Sequence, residues 1–400
     1  MGEEPSLLQR VRVAHEDGRL GGLAKSWLRA PGYLLFNPAA TRVAVHAPPH
    51  VSPDPADGPL VERIFRSYRR MKEDQRGSPP VYLPADTWQR QLDVAYEYLN
   101  SGLRNNDVGR FHHFLANFGA WPHYTGVTWS TLIHGASRSV LKTRHLENEV
   151  FLRQSNLWRW FYGGRRPVEA LDHPLHGNQS GAYVDGVFTT VSSYPAEVYG
   201  SVMAGLLAPS RRPVIAEVGA GYGVFPYYLL RGLDDYSYVD FDLPETLCLA
   251  AYFLSKSFPE KRVLLYGEAE YSVESHGEYD LVFMPGYSIE RLADSSAELF
   301  LNTFSLGEMA PATAANYVHH IARTARYFLH MNHDRVPNVF GNAERGLLGY
   351  EYPMPMDRFR LLYRYPDLFH MTNWGFLNFA SDTFTYLYER NAEAAAADGQ

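Results

Sequence analysis

Chemistry is most legible where Val214-Ile215-Ala216-Glu217-Val218 runs into Gly219-Ala220-Gly221-Tyr222-Gly223. An apolar run delivers a carboxylate, then glycines at alternate positions, then Val224, Phe225, Tyr228 and Leu229 at helical spacing. That pattern predicts a buried strand, a turn free of β-carbons and the first turns of a helix. Backbone in such a turn can lie directly against a flat, polar ligand. The spacing is G-x-G-x-G. Val224 holds the position of the third glycine in the dinucleotide fingerprint. No Lys-Ser or Lys-Thr follows, which excludes a phosphate-cradling P-loop. A carboxylate two residues before the first glycine, Glu217, suits a ligand carrying an amine or a positive sulfonium. S-adenosylmethionine carries both.

Downstream, Tyr238-Val239-Asp240-Phe241-Asp242-Leu243-Pro244 reads as a second strand ending in an acid. A carboxylate there can accept both hydroxyls of a ribose, and Asp242, directly before the Leu-Pro helix start, is placed for it. Its competing role is a helix cap. Asp240 is as well explained by a structural role as by a ligand. After a third strand, Glu268 can approach an adenine amine or remain a solvated loop acid. Met284-Pro285-Gly286-Tyr287, after a fourth strand, is expected at the mouth where donor meets acceptor.

Methyl transfer is one reaction that such a donor serves, and transfer to a hydroxyl would require alignment and removal of the hydroxyl proton. His330-Met331-Asn332-His333-Asp334 ends a fifth strand. His333, oriented by Asp334, is one candidate base; Glu308 is the other. Each has an alternative as a loop histidine or a helix-terminal acid. A divalent metal on His333 and Asp334 would lower the hydroxyl pKa, but no ligand spacing calls for one. His319-His320 and His112-His113 are adjacent on helices, where neighbours do not share a face.

These groups need elements to hold them. Strands expected at Val214–Val218, Tyr238–Phe241, Arg262–Tyr266, Asp280–Met284 and Arg326–Met331 alternate with helical stretches, which implies an α/β fold with a parallel sheet. Phe376–Phe379 and Thr383–Tyr388 read as an edge hairpin. Residues 1–165 are mainly helical, with Leu60, Ile64, Tyr68 and Met71 on one face and a second helix from Asp86. This part would form an acceptor wall or a homodimer contact. Residues 166–390 carry the catalytic elements, and 391–400 form a frayed tail. The polar stretch 332–357, with Tyr350, Tyr352 and Trp374, is a candidate lid.

A formal net charge of −7 argues against a sequence-independent nucleic-acid grip. The single cysteine, Cys248, cannot form an intrachain disulfide. No N-terminal apolar h-region or long uncharged apolar span occurs, so a cytoplasmic enzyme acting on small molecules, without membrane contact, is expected. Aromatic residues make up 14%, with 28 tyrosines, enough to line a stacking cleft as well as a core.

The glycine turn, Asp242-Leu243-Pro244 and Asn302-Thr303-Phe304-Ser305-Leu306-Gly307-Glu308-Met309 together resemble class I S-adenosylmethionine-dependent methyltransferases. More narrowly, they resemble the sugar O-methyltransferases of the nanchangmycin type. Gly177-Asn178 and Tyr183-x-Asp185-Gly186 also fit that group, whereas Gln179-Ser180 stands where Pro and an aromatic are expected. The resemblance spans about residues 170–390. It implies a Rossmann-like sheet, S-adenosylmethionine bound by Glu217, Gly219, Gly221, Gly223, Asp242, Glu268 and Met284, and an acceptor near Asn178, Tyr183, Tyr287 and Asn332. The implied reaction is methylation of a deoxysugar hydroxyl, free or on a glycosylated secondary metabolite such as an antibiotic. A nicotinamide-dependent oxidoreductase and a non-catalytic methyltransferase-like scaffold are the competing readings.

Overall fold

The computed structural model describes residues 43–123, 125, 127, 140–341, 343–373 and 383–391, with backbone alone for 140–149 and 371–373. Residues 1–42, Trp374, the expected strand Phe376–Phe379 and the tail from 392 lie outside the described residues.

Strand β1 (Val43–His46) leads to α1 (Gly58–Gln75), α2 (Asp86–Ala95), α3 (Glu97–Arg104), α4 (Val108–Leu115) and α5 (Val140–Phe161). On α1 the buried residues Val61, Ile64, Phe65, Tyr68 and Met71 recur at helical spacing, so one stripe faces inward. Next come β2 (Gly181–Val184), β3 (Val187–Thr189) and α6 (Ser193–Leu207). The β2–β3 hairpin turns on Asp185-Gly186, whose φ angles of 52° and 86° suit a tight left-handed turn. β2 also pairs antiparallel with β1, matching Val43 to Val184 and His46 to Gly181. The main sheet follows, with β4 (Val214–Val218), α7 (Val224–Leu230), β5 (Ser237–Asp242), α8 (Pro244–Ser257), β6 (Val263–Leu265) and β7 (Leu281–Pro285). The chain continues through β8 (Ala297–Thr303), α9 (Pro311–Thr324), β9 (Ala325–His333), β10 (Phe359–Pro366), α10 (Leu368–Asn373) and β11 (Thr383–Arg390).

Eight strands form one sheet in the order β10-β11-β9-β8-β4-β5-β7-β6. The six strands β4 to β9 run parallel, and β11 is antiparallel to both its neighbours. This is a Rossmann-like α/β sheet. The strands progress outward from β4 on one side and then return to β8 on the other, opening a crevice at their carboxyl ends.

Two features differ from the sequence expectation. Ala297–Thr303 is a central strand, paired with β4 through Ile215↔Leu299 and Glu217↔Leu301. The expected fourth strand, β7, instead pairs with β5, Asp242 facing Pro285, and so lies on the far side of β5 from the crevice mouth. Periodicity identifies a strand but not its neighbour, because parallel pairing is long-range.

Alternate residues of β4 serve two apolar layers. Ile215 joins the layer that includes Phe65, Phe111, Leu254 and Leu387. Ala216 and Val218 join the layer with Val239, Phe300 and Ile321. The first layer is continuous from α1 and α4 to the sheet, so the helical part shares its core with the elements after residue 166. No helix among the described residues is long and apolar enough to cross a membrane.

Candidate active site

The glycine turn requires its glycines. Gly219, Gly221 and Gly223 have φ of 78°, 66° and 93°, a region that β-carbons disfavour. A β-carbon on Gly219 would sit 2.3 Å from Ser305 Oγ, and one on Gly221 3.1 Å from Val127 Cγ1. The turn is tied to both neighbouring strands. Gly219 N–H donates to the Phe241 carbonyl (3.0 Å) on one side. On the other, Asn302 Nδ2 (2.8 Å) and Ser305 Oγ (2.9 Å) donate to the Val218 carbonyl. The run Asn302-x-x-Ser305 is therefore a clamp from β8 onto the end of β4.

Asp242 ends β5 beside the turn. Its carboxylate accepts from Gly221 N–H (3.2 Å) and Leu243 N–H (2.6 Å). Burial pushes its pKa up to about 6, and nearby acids oppose its ionisation further. Below the turn, Glu217 is fully buried and one oxygen accepts from Tyr238 Oη at 2.7 Å. Burial pushes it up to about 8. Asp240, its register neighbour on β5, is also fully buried and raised well above the carboxylate range by desolvation and by Asp242. One oxygen of each, Glu217 Oε1 and Asp240 Oδ2, has no hydrogen-bond partner among the described residues. Three acids thus sit at the base of the turn, and of these Asp242 opens to the cavity.

That cavity has a volume of about 540 Å³, within the range of small-molecule sites. The wall around the glycine turn comprises Gly219–Tyr222, Asp242, Leu243, Thr246 and Tyr317. A second group of lining residues is Phe304, Glu308, Met331, His333, His370 and Thr383, joined by Leu83, Pro84 and Trp88 from the helical part. Trp88 Nε1 donates to Glu308 Oε2 at 2.7 Å, and burial raises the Glu308 carboxyl. Phe304 has φ of 68°, a strained conformation for a bulky residue. Its N–H donates to the Met331 carbonyl (2.7 Å), and its ring lies edge-on to His370 at 4.6 Å and 6.1 Å from His333.

Of the residues singled out from sequence, Gly219, Gly221, Asp242, Glu308 and His333 line this cavity; Glu217, Gly223, Asp334, Glu268, Met284, Asn178, Tyr183, Tyr287 and Asn332 do not. Gly223 starts α7 in the left-handed region. Asp334 is turned to Arg364 (2.6 Å) and Tyr386 Oη (2.5 Å), so it does not orient His333. The two residues follow one another at the end of β9, where successive side chains point to opposite faces. Glu268 forms a two-pronged pair with Arg63 of α1 at 2.7 and 2.8 Å, which holds its pKa down. Met284 is a core residue of β7. Tyr287 Oη donates to the Met71 carbonyl at 3.0 Å. Asn178 Nδ2 donates to Pro49 and Asn117, at 2.7 and 3.0 Å, and Tyr183 belongs to the small β1–β3 sheet. Asn332 bonds Asn302 Oδ1 (2.9 Å) and Gly307 N–H (3.1 Å), a scaffold for the clamp. Tyr352 of the candidate lid is buried against His330 at 5.1 Å and is not part of the cavity wall.

Sequence reasoning missed Trp88, Phe304, Tyr317 and His370. For His370 a signal existed in Asp367-x-x-His370, a helix-start acid three residues before a histidine. Among the described residues no three His, Cys, Asp or Glu side chains cluster as metal ligands.

No protein family and no curated protein matches the sequence. Among solved structures, mitomycin 7-O-methyltransferase is similar over 68% of this chain and 70% of its own, at 12% identity and a TM-score of 0.33. Magnesium protoporphyrin IX methyltransferase from Synechocystis, with bound SAM, is similar over 50% and 82%, at 10% identity and a TM-score of 0.34. The pyocyanin biosynthetic protein PhzM is similar over 50% and 56%, at 11% identity and a TM-score of 0.31. The fold described above rests on the strand order and not on these likenesses.

Proposed function

We propose that this protein is an S-adenosylmethionine-dependent O-methyltransferase that methylates a hydroxyl of a deoxysugar, free or on a glycosylated secondary metabolite. One observation carries the reading. The G-x-G-x-G turn, Asp242 and a group of proton-accepting side chains share one cavity. The residues present fit the donor: the turn offers a cradle without side chains, and Asp242 offers a carboxylate at the ribose position. When bound, S-adenosylmethionine supplies a methyl carbon already activated by the sulfonium.

The chain then supplies alignment and proton removal. Gly219 and Gly221 allow close backbone approach, and Asp242 orders the sugar hydroxyls of the nucleoside. Glu217 acts from beneath the turn, through Tyr238 and the surrounding field, and not by contact. At the acceptor end Glu308, His333 and His370 are the groups able to take a hydroxyl proton. The mostly apolar wall of Leu83, Pro84, Trp88, Phe304 and Met331 suits the C–H face of a deoxysugar, which has few hydroxyls to satisfy. The segment Tyr82–Trp88 excludes water from that end.

Calorimetry with S-adenosylmethionine and with NAD tests the reading. Heat with the first and none with the second is expected; the reverse result would return the chain to the oxidoreductases. Transfer of labelled methyl from S-adenosylmethionine to a panel of deoxysugar glycosides then tests the acceptor class.

A further inference from the structure

Three side chains at the acceptor end could accept a proton, and their surroundings differ. Glu308 already accepts a hydrogen bond from Trp88, in a buried setting that favours its neutral form. His333 is followed by Asp334, but that carboxylate is held by Arg364 and Tyr386. A carboxylate faces His370. Its Nδ1 lies 3.2 Å from Oδ1 of Asp367, a carboxylate that is fully buried.

The segment carrying this pair is fastened to two other elements and capped by its own carboxylate. Asp367 N–H donates to the Thr383 carbonyl (2.9 Å), on the strand that pairs with His333. Gln154 Nε2 of α5 donates to the Phe369 carbonyl at 2.6 Å. The His370 N–H donates to Asp367 Oδ1 at 3.0 Å, so the same carboxylate caps α10 and faces the imidazole. Phe304, held in its strained conformation, presses its ring edge-on to the imidazole. A histidine that lines a cavity, with a buried carboxylate at one nitrogen and an aromatic wall fixing its plane, has the arrangement of an oriented general base.

We infer that His370 is the general base of the proposed methyl transfer, with Asp367 and Phe304 as its positioning residues. The inference rests on the methyltransferase reading above. His370 Nδ1 has no hydrogen-bond partner among the described residues; in the proposed step a small ring rotation turns its N–H onto Asp367 Oδ1, 3.2 Å away, which leaves Nε2 as the acceptor atom. As an acceptor oxygen forms its bond to the methyl carbon, the carbon–sulfur pair returns to sulfur and the hydroxyl proton passes to Nε2. The resulting imidazolium is balanced by the Asp367 carboxylate. Glu308 and His333 then hydrogen-bond the acceptor and fix which hydroxyl is presented.

The test begins with the tautomer, which needs no acceptor. Long-range proton–nitrogen spectra of histidine-labelled protein, with the His370 signals assigned by their loss in His370→Asn, should show Nδ1 protonated and Nε2 bare. Asp367→Asn keeps a capping oxygen but loses the charge, and should shift His370 toward the other tautomer. A wild-type Nε2–H tautomer, or a spectrum unchanged by Asp367→Asn, overturns the assignment. Calorimetry with S-adenosylmethionine separates the two levels: if the wild type gives no heat, the methyl-transfer reading fails while the tautomer result still reports on the pair. With any deoxysugar glycoside that the wild type methylates, His370→Asn should lower kcat about 10²-fold or more, at unchanged donor affinity and unchanged melting temperature. Asp367→Asn should give an intermediate loss in kcat. Full turnover in His370→Asn, with the loss found in His333→Asn instead, also overturns it.

Discussion

Asp242 concentrates the donor end of the site in one side chain. It touches the glycine turn through Gly221 N–H, opens to the cavity, and is crowded by Glu217 and Asp240 below. Hydroxyls of a ribose donate to its ionised form. Asp242→Ala should therefore weaken donor binding by about 1–3 kcal/mol, the cost of hydroxyls left unpaired. The raised pKa adds a direction: as pH falls through about 6 the carboxyl takes up a proton and loses acceptor capacity. Donor affinity in the wild type should decline from pH 8 to pH 5, and calorimetry at both ends reads it. In Asp242→Ala that decline should be blunted; an equal decline would place the titrating group elsewhere. Gly221 is a second residue-level test. Its φ of 66° is strained for a β-branched residue, and Val127, 3.1 Å from an added β-carbon, would have to shift, so Gly221→Val should abolish donor binding. Retained binding, measured by the same calorimetry, would move the cradle off this turn.

Among the elements, β8 gives the run from Asn302 to Met309 a physical role beside the glycines. Its end supplies the clamp, Asn302 and Ser305 on the Val218 carbonyl, and then Glu308 and Met309 of the cavity wall. Asn302→Ala removes one donor from Val218 and leaves the Asn332 amide without its acceptor at Asn302 Oδ1. A loss of about 1–3 kcal/mol in stability is expected from chemical denaturation, with weaker donor binding because the turn loses its support. Unchanged values in both would reduce the run to a coincidence of sequence. The turn, β5 and β9 were legible because each is a local pattern: an apolar run, then glycines or an acid. The position of β7 was not legible, since a parallel strand's neighbour is set by contacts across the chain. The pairing of Glu268 was hidden for the same reason, because its partner Arg63 lies 205 residues earlier. Asp334 looked like an orienting acid in sequence, but strand alternation sends it to the opposite face from His333. His370 sits in a helix of six residues, too short for a periodic signal.

Over the whole molecule, the same acids that shape the donor end tax the stability of the fold. Glu217 ionises near its ordinary value of 4.5 when unfolded, but burial holds its proton to about 8 in the folded chain. Between those values the folded state binds a proton that the unfolded state has released. Stability from this group is therefore intact below about pH 4.5 and is lost as pH rises toward 8, by at most about 1.4 kcal/mol for each pH unit traversed. Asp240, raised by the same burial, acts in the same direction. Glu217→Gln keeps an oxygen to accept from Tyr238 Oη and removes the titration. Against the wild type, its stability should be similar near pH 4.5 and higher by a growing margin up to pH 8. Urea denaturation at both values measures the margin. A margin that stays flat with pH would mean that Glu217 is ionised in the folded protein, paired with a group that the buried cluster does not reveal. The wild type should also regain part of the loss when S-adenosylmethionine is added near pH 8. A positively charged ligand over this turn favours ionised acids beneath it, and binding to the folded state alone raises its stability. Glu217→Gln should gain less from the same addition, and an equal gain in both would separate the acid from the donor's charge.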